Sequence, residues 1–469
     1  MPDQQPETPI IDALLAHAMR EKVSLHVPGH HQGRALPAPL QQWLGQATKL
    51  DATELTGLDN LHHAVECIRA SQRYTAEHYG SQRCFYSVNG ATACVMAAIA
   101  ACVQSTGKGT VLMLGPCHIS AWRGLVYADA QALFVPSPWR EDLSTFGPPD
   151  LRQLVDVLAE EDDIAAVFVT SPTYQGVVAP VKEMAHIAHR HGVPVIVDEA
   201  HGAHFGLVEA LPRHSVQEGA DVVIQSPHKT LPCLTQAAWV HLKGTLVDER
   251  VLEERLLFLQ TTSPSYLLLA SLDGAQAWLR GEGPREAERT LLRLHRYRSA
   301  KELDLVVDPM RWWIPTGSAS RSRQLDEMLQ SRGVFTEFAD ALGVLAIFGF
   351  AQPDYEYQRF FGVLQQWRED EVAAPSELAP VNAIYQLANR TRTLLRPREV
   401  AKRKRVSVPL AHAQGRILAA PVAPYPPGVA ALWPGQEITG EQIACLTEWI
   451  SHGGVVVGID DGEQLEVIE

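Results

Sequence analysis

Two short apolar runs, Val193–Val197 and Asp221–Gln225, constrain this chain more than any other feature. They are brief and rich in β-branched residues, as strands buried on both faces are. Each stops abruptly at side chains that cannot fill a core. Asp198, Glu199 and His201 follow the first, and Ser226, His228 and Lys229 follow the second. Ligands of open α/β sheets bind outside the carboxyl ends of the strands. Ionisable groups at two such ends therefore predict a site there.

The rest of the chain repeats the pattern. Arg83–Val88 reads as a strand that runs into Asn89-Gly90-Ala91-Thr92 and a helix to Gln104. Gly90 permits a tight turn, and the free N–H groups and positive end of the helix form an anion cradle to which the Thr92 hydroxyl adds a donor. The competing reading is a plain helix cap. Further strands are predicted at Thr110–Leu114, Ala132–Val135, Ile164–Thr170 and Gln236–Leu242, with helices at Leu151–Glu160 and Val181–His191. Strands alternating with helices imply a mostly parallel, doubly covered sheet. Polar residues gather after its strands: His118, Ser171 and Tyr174, Asp198 and His201, and Ser226, His228 and Lys229.

From about residue 301 shorter strands and helices predict a smaller α+β unit. Glu371–Glu377 reads as a linker, and a Pro/Gly-rich stretch precedes a closing helix and strand. The expected organisation is an N-terminal arm (1–50), a large domain (51–300), a small α+β domain (301–375) and a C-terminal domain (376–469).

Composition narrows the function. The net charge of −14 argues against nucleic acid as a partner. No apolar run approaches the ~20 residues of a membrane span. The N-terminus, MPDQQPETP, lacks the basic region of a signal peptide, so a cytoplasmic location is expected. Seven cysteines without a C-x-x-C pair predict reduced thiols, and the histidine clusters lack partners at metal spacing, so no metal site is expected.

An aspartate at one strand end and a lysine at the next suit pyridoxal phosphate (PLP). The lysine would hold the aldehyde covalently, and the aspartate would keep the pyridine nitrogen protonated. Such a lysine needs a depressed pKa, which burial supplies. Lys229 has that setting; Lys243, its nearest rival, sits in a turn without polar neighbours. His118 closes a neighbouring strand, where an imidazole can stack on the cofactor ring.

Several longer motifs then point the same way: HVPGHHQGR, TELTGLDNLH, NGATA, DEAHGAHFG, SPHKTLPCLTQAA, LQTTSPSYLLLASLD and PYPPGVAALWPGQEIT. Together they resemble the Orn/Lys/Arg decarboxylases, PLP enzymes of fold type I, from about residue 20 to the C-terminus. The resemblance implies that Lys229 anchors the cofactor, Asp198 pairs with its ring nitrogen and His118 stacks on it. Gly90, Ala91, Thr92, Ser226 and His228 would hold the phosphate, with His201 beside the ring. It implies a homodimer or larger assembly with active sites at the interface, where Ser263 would serve a neighbouring copy. The chain departs from the family pattern in GPCHIS around His118, in Pro227 before the lysine, and in His31 of the PGHH loop.

The expected activity is decarboxylation of a basic amino acid, arginine to agmatine ahead of lysine or ornithine, feeding polyamine metabolism. An aminotransferase or other lyase on the same fold, or a non-catalytic relative, is the alternative. Glu54, Asp59 and Glu337 are candidates to face the distal group of the substrate.

Overall fold

The polar-ended strands do share one sheet. The computed structural model describes residues 7–20, 22–135, 137–297, 305–340, 342–369, 393–425, 430–451 and 454–469. In chain order come β1 (Arg83–Ser87), β2 (Thr110–Leu114) and β3 (Gln131–Val135). A hairpin of β4 (Trp139–Arg140) and β5 (Thr145–Phe146) precedes β6 (Ile164–Thr170), β7 (Val195–Asp198), β8 (Val222–Gln225) and β9 (Ala238–Leu242). The seven-stranded sheet runs β1-β9-β8-β7-β6-β2-β3. β9 is antiparallel to both neighbours, and the strands from β8 to β3 are mutually parallel.

Alternation along the strands feeds two cores. Val111, Met113, Phe168, Ile196 and Ile224 face one layer, and Leu112, Val167, Val169, Val197 and Val223 the other. Burial on both faces explains why these strands read as continuous apolar runs. The first layer holds the helices Gly90–Thr106 and Ile119–Ala128. They approach closely because Gly124 has no side chain: a Cβ there would sit 2.7 Å from Ile99 Cδ1.

A second sheet, β10 (Arg311–Pro315), β11 (Phe338–Ala339) and β12 (Gly343–Ile347), is antiparallel in the order β10-β12-β11. The helix Asp354–Glu369 buries Tyr357, Phe360, Phe361 and Trp367 in the core beside it. In the C-terminal part Arg405–Pro409 pairs with Gln464–Ile468 and Ala423–Tyr425 with Val455–Val457. A third apolar cluster joins Phe146 of the hairpin and Leu342 of the small sheet to this C-terminal part.

The N-terminal helix Pro9–Met19 is fastened to the large body. Buried Asp273 accepts the N–H groups of Ile10 and Ile11 at 2.9 and 3.0 Å, so a carboxylate meets the helix's positive end.

Expectation and structure differ in three places. The segment 51–86, which reads from its sequence as helical with polar insertions, forms an α-helix only at Cys67–Tyr79, with a single 3-10 turn at Leu61–His63 before it. Before it, Asp59 accepts N–H groups from Asn60, Val65, Glu66 and Ile68, which holds a loop. Gly333–Phe338, which reads as one of the short elements after residue 301, contributes only Phe338 to a two-residue strand, because Gly333 at φ +69° still belongs to the end of the preceding helix. The β4–β5 hairpin was not anticipated. The linker at 371–377 lies outside the described residues, as does the beginning of the C-terminal segment, which reads as helical from residue 378. Among the described residues, no helix is long and apolar enough to cross a membrane.

Candidate active site

The carboxyl ends of the parallel strands open into one cavity of about 410 Å³. That is within the range of pockets that hold a cofactor or small ligand. Nine of the ten residues that the sequence assigns to the cofactor line it: Gly90, Ala91, Thr92, His118, Asp198, His201, Ser226, His228 and Lys229. Ser263 does not. It lies in an exposed turn, its N–H donating to Thr261 Oγ1, away from the cavity of its own chain.

One end of the cavity is built for an anion. Gly90, at φ +78°, turns the chain out of β1 into the helix Gly90–Thr106, whose first N–H groups have no intrahelical acceptor. His228 Nδ1 donates to the carbonyl of Ala237 at 3.1 Å, which fixes the imidazole at the cavity wall. Ser226 is buried just before the short turn Pro227–Lys229, its carbonyl accepting the Lys229 N–H at 3.0 Å.

The centre is a group of ionisable side chains. Lys229 Nζ lies 2.9 Å from His201 Nε2, and 5.9 Å from the centre of the Tyr174 ring. Burial holds the Lys229 amine below its ordinary pKa against the pull of Asp198; Arg311 lowers it further, and Glu337 opposes. Asp198 is buried at the end of β7, with Oδ1 accepting the Ala200 N–H at 3.2 Å. Burial raises its carboxyl above the usual range, while Lys229 and His118 pull the other way. His118 caps the helix Ile119–Ala128, its Nδ1 accepting the Ser120 N–H at 3.2 Å. That acceptor role fixes the ring at the cavity wall.

The far end is aromatic and carries a second acid. Trp139 and Phe146 meet edge to face at 5.2 Å, and Leu342 and Asp340 complete the wall. Asp340 follows β11; its Oδ1 accepts the N–H groups of Leu342 and Gly343 at 2.8 and 3.0 Å. Burial pushes its carboxyl up to about 7. Among the described lining residues only Asp198 and Asp340 are acidic.

The distal-group candidates fall elsewhere. Asp59 is consumed by backbone N–H groups, and Glu54 is exposed beside Thr53. Glu337 stands close enough to act on Lys229 and Arg311 but is not in the cavity wall. Lys243 follows Leu242, which pairs with Val222 at the amino end of the parallel strands, away from the cavity, and its Nζ donates to Val216 O. The PGHH loop turns back on its own segment, His30 bonding Asp51 at 3.1 Å.

Sequence comparison agrees with this geometry. The family model for the Orn/Lys/Arg decarboxylase major domain matches residues 8–315, and that for the C-terminal domain matches 391–450. The chain belongs to the Orn/Lys/Arg decarboxylase family. An arginine decarboxylase of Bacillus subtilis (strain 168) is 30% identical over 97% of this chain and 96% of its own. The constitutive lysine decarboxylase of Escherichia coli (strain K12) is 27% identical over 65% of this chain and 45% of its own. The solved structure of the E. coli constitutive lysine decarboxylase superposes with a TM-score of 0.80 at 19% identity, covering 99% of this chain and 82% of that one. A chain solved as SPT with PLP superposes at a TM-score of 0.50 and 17% identity, over 64% of this chain and 77% of its own.

This decarboxylase is thus a PLP-dependent carboxy-lyase, and its cavity suits that cofactor. An anion cradle at one end, a buried carboxylate and a half-buried amine of lowered pKa are what a phosphorylated pyridine aldehyde requires. Sequence reasoning missed Arg311, Asp340 and the Trp139–Phe146 hairpin. The hairpin strands are two residues long, and Arg311 and Asp340 come from the small sheet, which no local pattern ties to the cavity.

Proposed function

We propose that this enzyme releases carbon dioxide from the α-carboxylate of arginine, leaving agmatine, with lysine and ornithine as weaker substrates. The observation that carries the reading is the second acid. A basic amino acid is cationic at its far end, and Asp340 is the acid left in the wall once Asp198 is assigned to the cofactor. Trp139 and Phe146 beside it suit the flat face of a guanidinium. The full-length match to an arginine decarboxylase favours arginine over lysine.

PLP, when bound, supplies a conjugated sink for the electron pair left on Cα as carbon dioxide departs. In this reading Asp198 keeps a proton on the ring nitrogen, and Gly90, Ala91, Thr92, Ser226 and His228 grip the phosphate. His118 packs on the ring face. Lys229 anchors the cofactor, and with His201 it returns a proton to Cα. The apolar walls exclude water from that carbon.

We place the enzyme in the cytoplasm as a homodimer that feeds polyamine synthesis. The N-terminal arm supports the dimer: Leu25 is 90% and Trp43 86% exposed, and Val23, Val27 and Met19 are also exposed. A second copy would cover them and bring Ser263 towards a neighbouring site. Carbon dioxide and product are measured from arginine, lysine, ornithine and analogues, with light scattering for mass. A keto acid as main product, or equal rates on uncharged analogues, would overturn the reading.

A further inference from the structure

Behind Lys229 a chain of buried groups leads out of the cavity into the small sheet. Arg311, at the start of β10, is fully buried. Its Nη1 donates to the carbonyl of Tyr174 at 3.2 Å, and its Nε lies 3.6 Å from Asp308 Oδ2. Asp308 is itself held: Oδ1 takes His204 Nε2 at 3.0 Å and the Met310 N–H at 2.9 Å. Burial opposes its ionisation, yet His204 and Arg311 keep the Asp308 carboxyl below its usual range. Gly176, at φ +94°, makes room; a Cβ there would stand 3.0 Å from Arg311 Cβ. The guanidinium so placed meets His201 Nδ1 through Nη2.

A guanidinium has donors only and stays protonated in proteins. His201 Nδ1 must therefore offer its lone pair to Arg311. A neutral imidazole then carries its single proton on Nε2, the atom 2.9 Å from Lys229 Nζ. An imidazolium would set its Nδ1–H against the Arg311 N–H. An ammonium on Lys229 would set its protons against Nε2–H, whereas a neutral amine offers a lone pair. The tilted ring of Tyr174, 4.5 Å from that of His201, closes the other side.

We infer that Arg311 is a positioning residue: it fixes His201 with its proton on Nε2, so that His201 donates to Lys229 and holds that amine in its free-base form. The groups around the pair divide in sign. Asp198 and Glu337 favour an ammonium on Lys229, and burial and Arg311 oppose it. Burial, Arg311, Lys229, His118 and His228 together keep His201 uncharged. The functional meaning of the inference rests on Lys229 being the cofactor lysine; the proton geometry does not.

The test uses the full-length protein freed of cofactor. Lys229 is labelled with acetic anhydride across a pH series and quantified by peptide mass spectrometry, which reports the free-base fraction. Arg311→Lys, which keeps the charge opposite Asp308, and Arg311→Met are each made in the native and His201→Phe backgrounds. In the native background both lower Lys229 labelling at pH 7 about tenfold, one unit of pKa. In the His201→Phe background Arg311→Lys, which keeps the charge, changes it less than about twofold, and Arg311→Met loses only the direct charge effect, well short of about tenfold, since the rest runs through His201. Equal losses in the two backgrounds would show that Arg311 acts by its charge alone, and unchanged labelling would show that it does not act; either overturns the inference. If Arg311→Met does not fold, Arg311→Lys decides. Spectroscopic uptake of PLP is followed in parallel. Loss of the borohydride-reducible PLP adduct in Lys229→Ala supports the cofactor-lysine reading, and persistence of that adduct overturns the reading and the functional inference built on it, whatever the labelling shows.

Discussion

Replacing Asp340 by Asn tests the substrate assignment at the point where the chain committed a buried acid. Oδ1 is already engaged by the N–H groups of Leu342 and Gly343. Asn keeps a carbonyl oxygen for that turn, so what it removes is the charge. A charge-assisted hydrogen bond to a distal cation contributes about 1.5–3 kcal/mol. Asp340→Asn should therefore lower kcat/KM for arginine about 10- to 150-fold. Norleucine, which has no distal charge, should lose less than about threefold by the same reasoning. The pH dependence follows from a carboxyl near 7. A cation pairs with the ionised form, whose fraction rises about tenfold from pH 6 to pH 8 for a group of that pKa. KM for arginine should fall across this window in the native enzyme and stay flat in Asp340→Asn. The folding sign is opposite. With a folded pKa above the usual 3.8, the native state keeps a proton the unfolded chain has lost. This contribution to stability is present at low pH and declines as pH rises from the unfolded value through about 7. Steady-state kinetics on both substrates decide the matter. Equal losses on arginine and norleucine, or a pH dependence that survives in Asp340→Asn, would refute the assignment.

Three further outcomes are expected. Lys229→Ala should retain no cofactor after borohydride reduction and gel filtration, read as absorbance and as peptide mass. Asp198→Asn should still take up PLP but lose about 10²-fold or more in kcat, since a neutral amide cannot hold the ring-nitrogen proton; single-turnover kinetics check this. Asp273→Ala should lower stability by about 3 kcal/mol, because it leaves Ser71 and the first N–H groups of the helix Pro9–Met19 without their buried acceptor; urea unfolding measures it, and the N-terminal segment should become the first site of proteolysis.

Much of this architecture could be read from the chain because its strands are short, continuous and buried on two faces. Ile164–Thr170 and Thr110–Leu114 were bounded to the residue, since the apolar run ends where the sheet meets the cavity. The same physics exposed most of the site. A strand that stops at Asp198 or Ser226 announces its polar end locally. Arg311 and Asp340 announce nothing. Arg311 sits among apolar neighbours in RWWIP, and Asp340 resembles any aspartate in a hairpin turn. Their roles arise from packing the small sheet against the large one, which local periodicity does not encode.

The departures from the family pattern take on physical meaning in the same way. Pro227 opens the turn that carries Lys229, a position where no backbone N–H is needed, so the Lys229 N–H still reaches Ser226 O at 3.0 Å. In GPCHIS the residues that matter for the ring are His118 and Ser120, whose N–H and hydroxyl hold His118 Nδ1, while Ile119 packs on the apolar core. Neither change touches the acid at the far end. On the proposed reading, the choice of substrate falls to the wall supplied by β4, β5 and the turn after β11. Grafting a relative's residues into that wall should shift the preference between arginine and lysine, whereas restoring Thr at Pro227 should leave it unchanged; kcat/KM ratios for the two amino acids distinguish the outcomes, and a preference that followed position 227 would locate specificity at the cofactor instead.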